Sequence, residues 1–145
     1  MKMNEPKIFN FENHEVRTLP KKDKSFMGRL YVIVLNDGLK IGISTNLKER
    51  FRALRKQLVD YGGKEIKAIY FSIPHTNYKE NEKHLLDEFS AYRKTGTELI
   101  NADISSVFRA VQKIKYKDNS IQLEEEAKNT SDFFIDFTKG VFNHE

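Results

Sequence analysis

Leu30-Tyr31-Val32-Ile33-Val34-Leu35-Asn36-Asp37-Gly38-Leu39-Lys40-Ile41-Gly42-Ile43 is the stretch that decides the fold. Its first six residues form a nearly continuous apolar, β-branched run, the pattern of a strand covered on both faces. Asn36-Asp37-Gly38 is a hairpin signal, because Asp-Gly tolerates the positive φ of a type I′ turn. Leu39 to Ile43 is then the returning strand. Gly42 inside it marks a place where another backbone or side chain comes close.

Outward from the hairpin, Asn46 with Glu49 three residues on has the form of a helical capping box. The helix runs to about Tyr61, before Gly62-Gly63. Leu47, Phe51, Leu54 and Leu58 make one apolar stripe, and Lys48, Arg52, Arg55 and Lys56 lie on the opposite, solvated side. Ile66 to Ile73 reads as a third strand, stopped by Pro74. A second helix begins near Asn77, with Glu80 at the box position, and runs to about Tyr92. Gly96 breaks the chain, and Glu98-Leu99-Ile100 is a short extended piece. Asp103 caps a third helix whose apolar face is Ile104, Val107, Phe108, Val111 and Ile114.

The expected class is α/β: a small three-stranded antiparallel sheet flanked by helices, in the order β-β-α-β-α-α. Residues 1–24 read as an arm and linker, with alternation in Ile8-Phe9-Asn10-Phe11-Glu12 and a polar run after Pro20. Residues 25–116 are the folded domain. Residues 117–145 are an acidic tail that carries Glu124-Glu125-Glu126 and then Phe133-Phe134-Ile135-Asp136-Phe137.

At 145 residues the chain has the size of one domain with tails. No cysteine is present, which removes disulfides, thiolate zinc sites and cysteine nucleophiles together. No apolar run reaches the roughly 18 residues of a membrane span, and Met1 to Glu15 lacks the apolar core of a secretory signal. A cytoplasmic setting with no membrane partner is expected. Residues 21–115 hold 19 Lys and Arg against 11 Asp and Glu, while residues 116–145 hold three against seven. A basic body with an acidic tail points to a polyanion such as DNA; the plain alternative is a solvated lysine-rich surface. The four histidines, His14, His75, His84 and His144, show no metal-ligand spacing.

Two charged residues stand where apolar ones are expected. Glu82 shares the i, i+3, i+4, i+7 stripe of Leu85, Leu86 and Phe89. A carboxylate there costs several kcal/mol unless it is paired or on a metal. Arg50 borders the Leu47/Phe51/Leu54 stripe. A buried Arg50–Glu82 ion pair, Glu82 at a wet rim, and a metal carboxylate all remain open on the sequence. Tyr31 is equally open between a core aromatic with its hydroxyl at the rim and a reacting group.

The ordered set Arg29-Leu30-Tyr31, Lys40-Ile41-Gly42, Arg50 and Glu82 resembles the GIY-YIG endonuclease superfamily. The resemblance covers about Met27 to Phe108. The run Glu82-Lys83-His84-Leu85-Leu86-Asp87-Glu88-Phe89, then Arg93 and Gly96, is especially like its branch from phages and large DNA viruses. It implies a DNA endonuclease hydrolysing phosphodiester bonds with one Mg²⁺ (or Mn²⁺) on Glu82. It also implies Arg50 on the scissile phosphate, Tyr31 orienting or deprotonating the water, and Lys40 supplying positive charge beside Tyr31. Lys48, Arg52, Arg55, Lys56, Arg93 and Lys94 are the expected DNA contacts. There are departures: Arg29 lacks the motif glycine, Lys40 replaces a tyrosine, and Leu54 stands where some members have histidine or tyrosine. A further family asparagine maps loosely to Asn101. These bear on turnover more than on fold, so a catalytically weak DNA-binding regulator of phage origin is the alternative. A third possibility is an accessory protein that binds a partner through the acidic aromatic tail. In the arm, Ile8 to Phe11 and Glu15 to Leu19 resemble the opening of the Bro-N DNA-binding domain of phage antirepressors. A phage-encoded protein would act in the bacterial host cytoplasm. The oligomeric state is open.

Overall fold

A computed structural model describes residues 5–129. The hairpin is present as β3 (Arg29–Leu35) and β4 (Gly38–Ser44), antiparallel with Leu35 opposite Gly38. Its turn differs from expectation. Among the described non-glycine residues only Asn13 and Phe26 have positive φ, so of the Asp-Gly pair only Gly38 (φ 155°) takes the unusual conformation and Asp37 does not. The turn side chains are tied to the rest of the chain instead. Asn36 Oδ1 accepts the Glu65 N–H at 3.1 Å, and the Asp37 carboxylate pairs with the Lys64 ammonium.

The sheet has five strands, not three, and it is mixed rather than purely antiparallel. The order is β2-β1-β5-β3-β4, where β1 is Lys7–Asn10, β2 is Glu15–Val16 and β5 is Ile66–Phe71. β1 lies parallel to β5, with Ile8 opposite Ile69, and β2 closes the edge as a short antiparallel hairpin. The arm residues belong to the sheet because Ile8 and Val16 cover apolar core that β5 would otherwise expose, and Phe9 stacks on Tyr70 with centroids 4.9 Å apart.

Alternate residues of β3 enter two separate cores, as the apolar run requires. Leu30 and Val32 join Leu39, Ile41, Leu85, Phe89, Val107 and Val111 on one face. Tyr31 and Ile33 join Leu47, Phe51, Leu54 and Ile69 on the other. The first face is covered by α2 (Tyr78–Glu88) and α3 (Ile104–Val111), and the second by α1 (Leu47–Arg55). The chain continues α1 as π-helical turns over Lys56–Tyr61, and a 3₁₀ turn, Ser90–Tyr92, follows α2. Truncating Leu54, a buried member of the second core, costs about 2–5 kcal/mol by general experience with such sites.

Two of the expected caps are not made by side chains. Asn77 and Asp103 give no capping hydrogen bond to their helices. Asn77 binds the later chain instead: its amide donates to the Lys115 carbonyl at 2.9 Å, and its Oδ1 accepts the Lys117 N–H at 2.9 Å. Helical backbone over residues 120–129 follows, and the aromatic segment from Phe133 to Phe137 lies outside the described residues. Among the described residues no helix is long and apolar enough to cross a membrane.

Candidate nucleic-acid cleft

β4 is the end strand of the sheet, and only part of its free edge is covered. Leu39 exchanges backbone hydrogen bonds of 2.9 Å with Ile100. Beyond that bridge the edge from Lys40 to Ile43 opens into a cleft of about 690 Å³ between α1 and α2. Tyr31, Lys40, Gly42, Arg50, Glu82 and Glu98 all line it.

Local sequence puts each group there. β4 runs almost directly into α1, because Ser44 Oγ accepts the Asn46 N–H at 3.0 Å and Asn46 Oδ1 accepts the Glu49 N–H at 3.4 Å. Arg50 therefore stands in the first turn of α1, beside the strand it has just left. On α2, Leu85 and Phe89 anchor the helix to the Val32/Ile41 face, so Glu82, one turn earlier, reaches the β4 edge. Leu86, which its spacing places in the core stripe, is not core. It is 39% exposed and lines the cleft.

Tyr31 is 1% exposed and sits opposite Gly42 across the hairpin. A side chain at position 42 would collide with the Tyr31 hydroxyl and ring, which is the close approach that the glycine signals. The hydroxyl has no hydrogen-bond partner among the described residues, so it is free toward the cleft.

Glu82 is half-buried and makes no hydrogen bond or ion pair among the described residues. Burial pushes its carboxyl above the usual range; Lys40 opposes that, and the Glu98 charge adds to it. The Arg50–Glu82 ion pair is not formed. Arg50 is exposed, and no ion pair of it occurs among the described residues. Lys40 instead pairs with Glu98, Nζ to Oε2 at 2.7 Å. That hydrogen bond holds the Glu98 carboxyl below its ordinary value, helped by the Lys40, Arg93 and Arg50 charges.

Nothing in the sequence marks Glu98 as a site residue. It lies 58 positions from Lys40, at the start of the stretch that the sequence offers only as a short extended piece. Of the expected DNA contacts, Lys48, Arg52, Arg55 and Lys56 are exposed along α1 and its continuation, with no ion pairs among the described residues. Arg93 is exposed and lines the cleft. Lys94 is spoken for: its ammonium donates to the Asp37 carbonyl. A wider groove, about 970 Å³, lies between the linker and the helical residues 120–129. There Lys21, Lys22 and Lys24 face Asp118, Glu124 and Glu125, so opposite charges share it.

The donor chemistry of the cleft suits a hard divalent cation. Mg²⁺ accepts a single carboxylate and fills its shell with waters and phosphate oxygens. Among the described residues no group of three or more His, Asp or Glu side chains gathers to hold a metal. Such an ion would rest on Glu82, water and substrate.

A family model described as the T5orf172 domain matches residues 28–115, more than half of the 145-residue chain. No curated protein and no solved structure matches it.

Proposed function

The chain belongs to the T5orf172 domain family, and on that premise we propose that the β4-edge cleft binds DNA and hydrolyses a phosphodiester bond with one divalent cation on Glu82. That family is associated with phage and GIY-YIG-like endonuclease-type proteins. The observation that carries the reading is the half-buried Glu82 carboxylate, without a partner among the described residues, lining the same cleft as Tyr31 and an Arg50 that is likewise unpaired among them.

Each group has a task fitted to its surroundings. Arg50 projects a planar set of donors from an exposed helix turn, which matches two phosphate oxygens at once. The exposed cations of α1 and its continuation, Lys48, Arg52, Arg55 and Lys56, continue that positive surface for neighbouring phosphates. Tyr31, held by the core behind it, presents one hydroxyl with no partner among the described residues, able to accept a hydrogen bond from a water or donate one to it. Glu82 is costly to keep ionised where it lies, and a cation would remove that cost. A bound Mg²⁺ or Mn²⁺ supplies charge neutralisation for the phosphate and leaving-group oxygens.

Incubation of the full chain with single-stranded, duplex and branched DNA tests this, with Mg²⁺, Mn²⁺ or EDTA. Metal-dependent cleavage that Glu82→Gln abolishes is the expected result. Tight binding with no cleavage under either metal would leave a DNA-binding regulator on this scaffold. Absence of binding at low salt would remove the nucleic-acid reading.

A further inference from the structure

We propose that Lys40, Arg50 and Arg93 form a phosphate subsite in the cleft, and that Glu98 fills it in the free protein as an internal competitor that substrate must displace. The proposal rests on the DNA reading only for what carries the phosphate.

The asymmetry of the Lys40–Glu98 pair is the starting point. The Lys40 side chain is 13% exposed and the Glu98 side chain 72%. An ammonium held that far from water needs an anion beside it. The carboxylate, being in water, does not need the ammonium. The fold therefore fixes the cation and leaves the anion exchangeable.

Two guanidinium groups stand near the same carboxylate. Arg50, on α1, and Arg93, at the foot of the Glu98 turn, line the same cleft, and their charges act on that carboxylate without contacting it. Arg93 Nε is already committed, donating to the Thr97 carbonyl at 3.1 Å, while its terminal N–H groups make no hydrogen bond among the described residues. The turn is anchored at its base by Lys94 N–H to the Leu99 carbonyl at 2.9 Å and by buried Leu99. Glu98 can leave Lys40 by side-chain rotation without unmaking those bonds. One ammonium on the carboxylate with two guanidinium groups lining the same cleft is a donor set that also fits a phosphate, which differs from a carboxylate mainly in offering a further oxygen.

The consequence is a cleft whose charge changes on binding. With Glu98 seated, one cation is cancelled and Glu82 feels a second negative charge. With phosphate seated, Glu98 returns to water.

The test uses the full chain in EDTA, with inorganic phosphate and a short duplex as separate probes. If Glu98 occupies the subsite about nine-tenths of the time, its removal tightens binding about tenfold. Glu98→Gln should bind both probes tighter by that order, and Glu98→Asp, which keeps the charge, should stay near wild type. In wild type, saturating phosphate should move the Glu98 carboxyl titration, followed by NMR, upward toward that of an ordinary glutamate. This second measurement stands even where Glu98→Gln folds poorly. Unchanged or weaker phosphate binding by a folded Glu98→Gln, or a Glu98 titration indifferent to bound phosphate, would overturn the competitor role. Duplex binding without a phosphate effect leaves the DNA reading standing and this one refuted. A phosphate effect with no duplex binding does the reverse.

Discussion

Tyr31 occupies the space that a side chain at position 42 would need. A Cβ built on Gly42 comes within 3.0 Å of the Tyr31 ring carbon Cε1 and collides with the ring carbon bearing the hydroxyl. The two residues are direct partners across β3 and β4. The glycine is thus a packing requirement of the tyrosine, and the tyrosine hydroxyl reaches the cleft because position 42 is bare.

Gly42→Ala should therefore destabilise the protein by about 1–3 kcal/mol through overpacking. Tyr31→Phe alone should cost little, since its hydroxyl has no partner among the described residues. The double variant should cost less than the two added, because removing the hydroxyl opens room for the methyl. Urea unfolding of the four proteins measures the coupling. Strict additivity would mean that Tyr31 moves aside at no cost.

The hairpin is legible in the sequence because its signals are local. Six apolar residues need two cores, and a glycine in a strand needs a neighbour; both are present. The parallel pairing of β1 with β5 is not legible. Ile8 and Phe9 show a strand but not its partner, which comes some 60 residues later at Ile69 and Tyr70. Turn chemistry is half legible: Asn36-Asp37-Gly38 does turn, but Asp37 and Asn36 serve Lys64 and Glu65 as anchors. In the cleft, Tyr31, Lys40, Arg50 and Glu82 can be grouped from sequence through a family resemblance. Glu98 cannot, since what makes it notable is a single long-range ion pair. Stripe position alone also misplaces Glu82 and Arg50. Both border apolar stripes, but the β4 edge lies between their helices and gives each its own exit toward water.

His75 supplies a pH prediction. It is fully buried, with Nδ1 2.8 Å from the Ile73 carbonyl, so Nδ1 carries the hydrogen, and Nε2 has no partner among the described residues. Burial pushes its pKa below the ordinary value; the Ile73 hydrogen bond opposes this, Arg29 adds to it, and Asp23 opposes it. The fold prefers neutral His75. Its stability is whole above the unfolded pKa of about 6.5 and falls as pH drops below it. The slope is at most about 1.4 kcal/mol per pH unit for one proton. His75→Asn keeps a donor for Ile73 and should flatten the stability profile between pH 7 and 5.5, whatever its offset. An unchanged slope would mean that another group carries the acid sensitivity.

DNA binding should divide the cations by whether the fold already uses them. On duplex DNA the log–log salt slope falls by about 0.9 for each phosphate that is no longer neutralised. Replacing Arg52, Arg55 or Lys56 with Gln should each lower the slope by up to that amount, as these side chains are exposed and unpaired among the described residues. Lys94→Gln should leave the slope alone and reduce stability instead, because its ammonium serves the Asp37 carbonyl. Equal effects from all four would mean a diffuse field rather than specific phosphate pairing along α1.

Glu82→Gln is the sharpest test of the cleft, because stability and activity should move independently. A buried ion pair with Arg50 would make either single change cost about 3 kcal/mol or more. That pair is absent here, and burial makes the ionised Glu82 a burden on the fold. A carboxyl whose pKa is raised by folding favours the native state below its unfolded pKa and loses that contribution as pH rises through the native one. At neutral pH Glu82→Gln should therefore leave stability level or raise it by about 1 kcal/mol, with the gain shrinking in acid. Arg50→Gln, at a site that is exposed and unpaired among the described residues, should stay within about 0.5 kcal/mol of wild type. Mg²⁺ should raise the melting temperature of wild type and not of Glu82→Gln, since only a native-state ligand stabilises by mass action. Thermal melts of the three proteins with and without Mg²⁺ decide the matter. Marked destabilisation by Glu82→Gln, with a wild type indifferent to Mg²⁺, would make Glu82 a structural residue and remove the cation from the cleft.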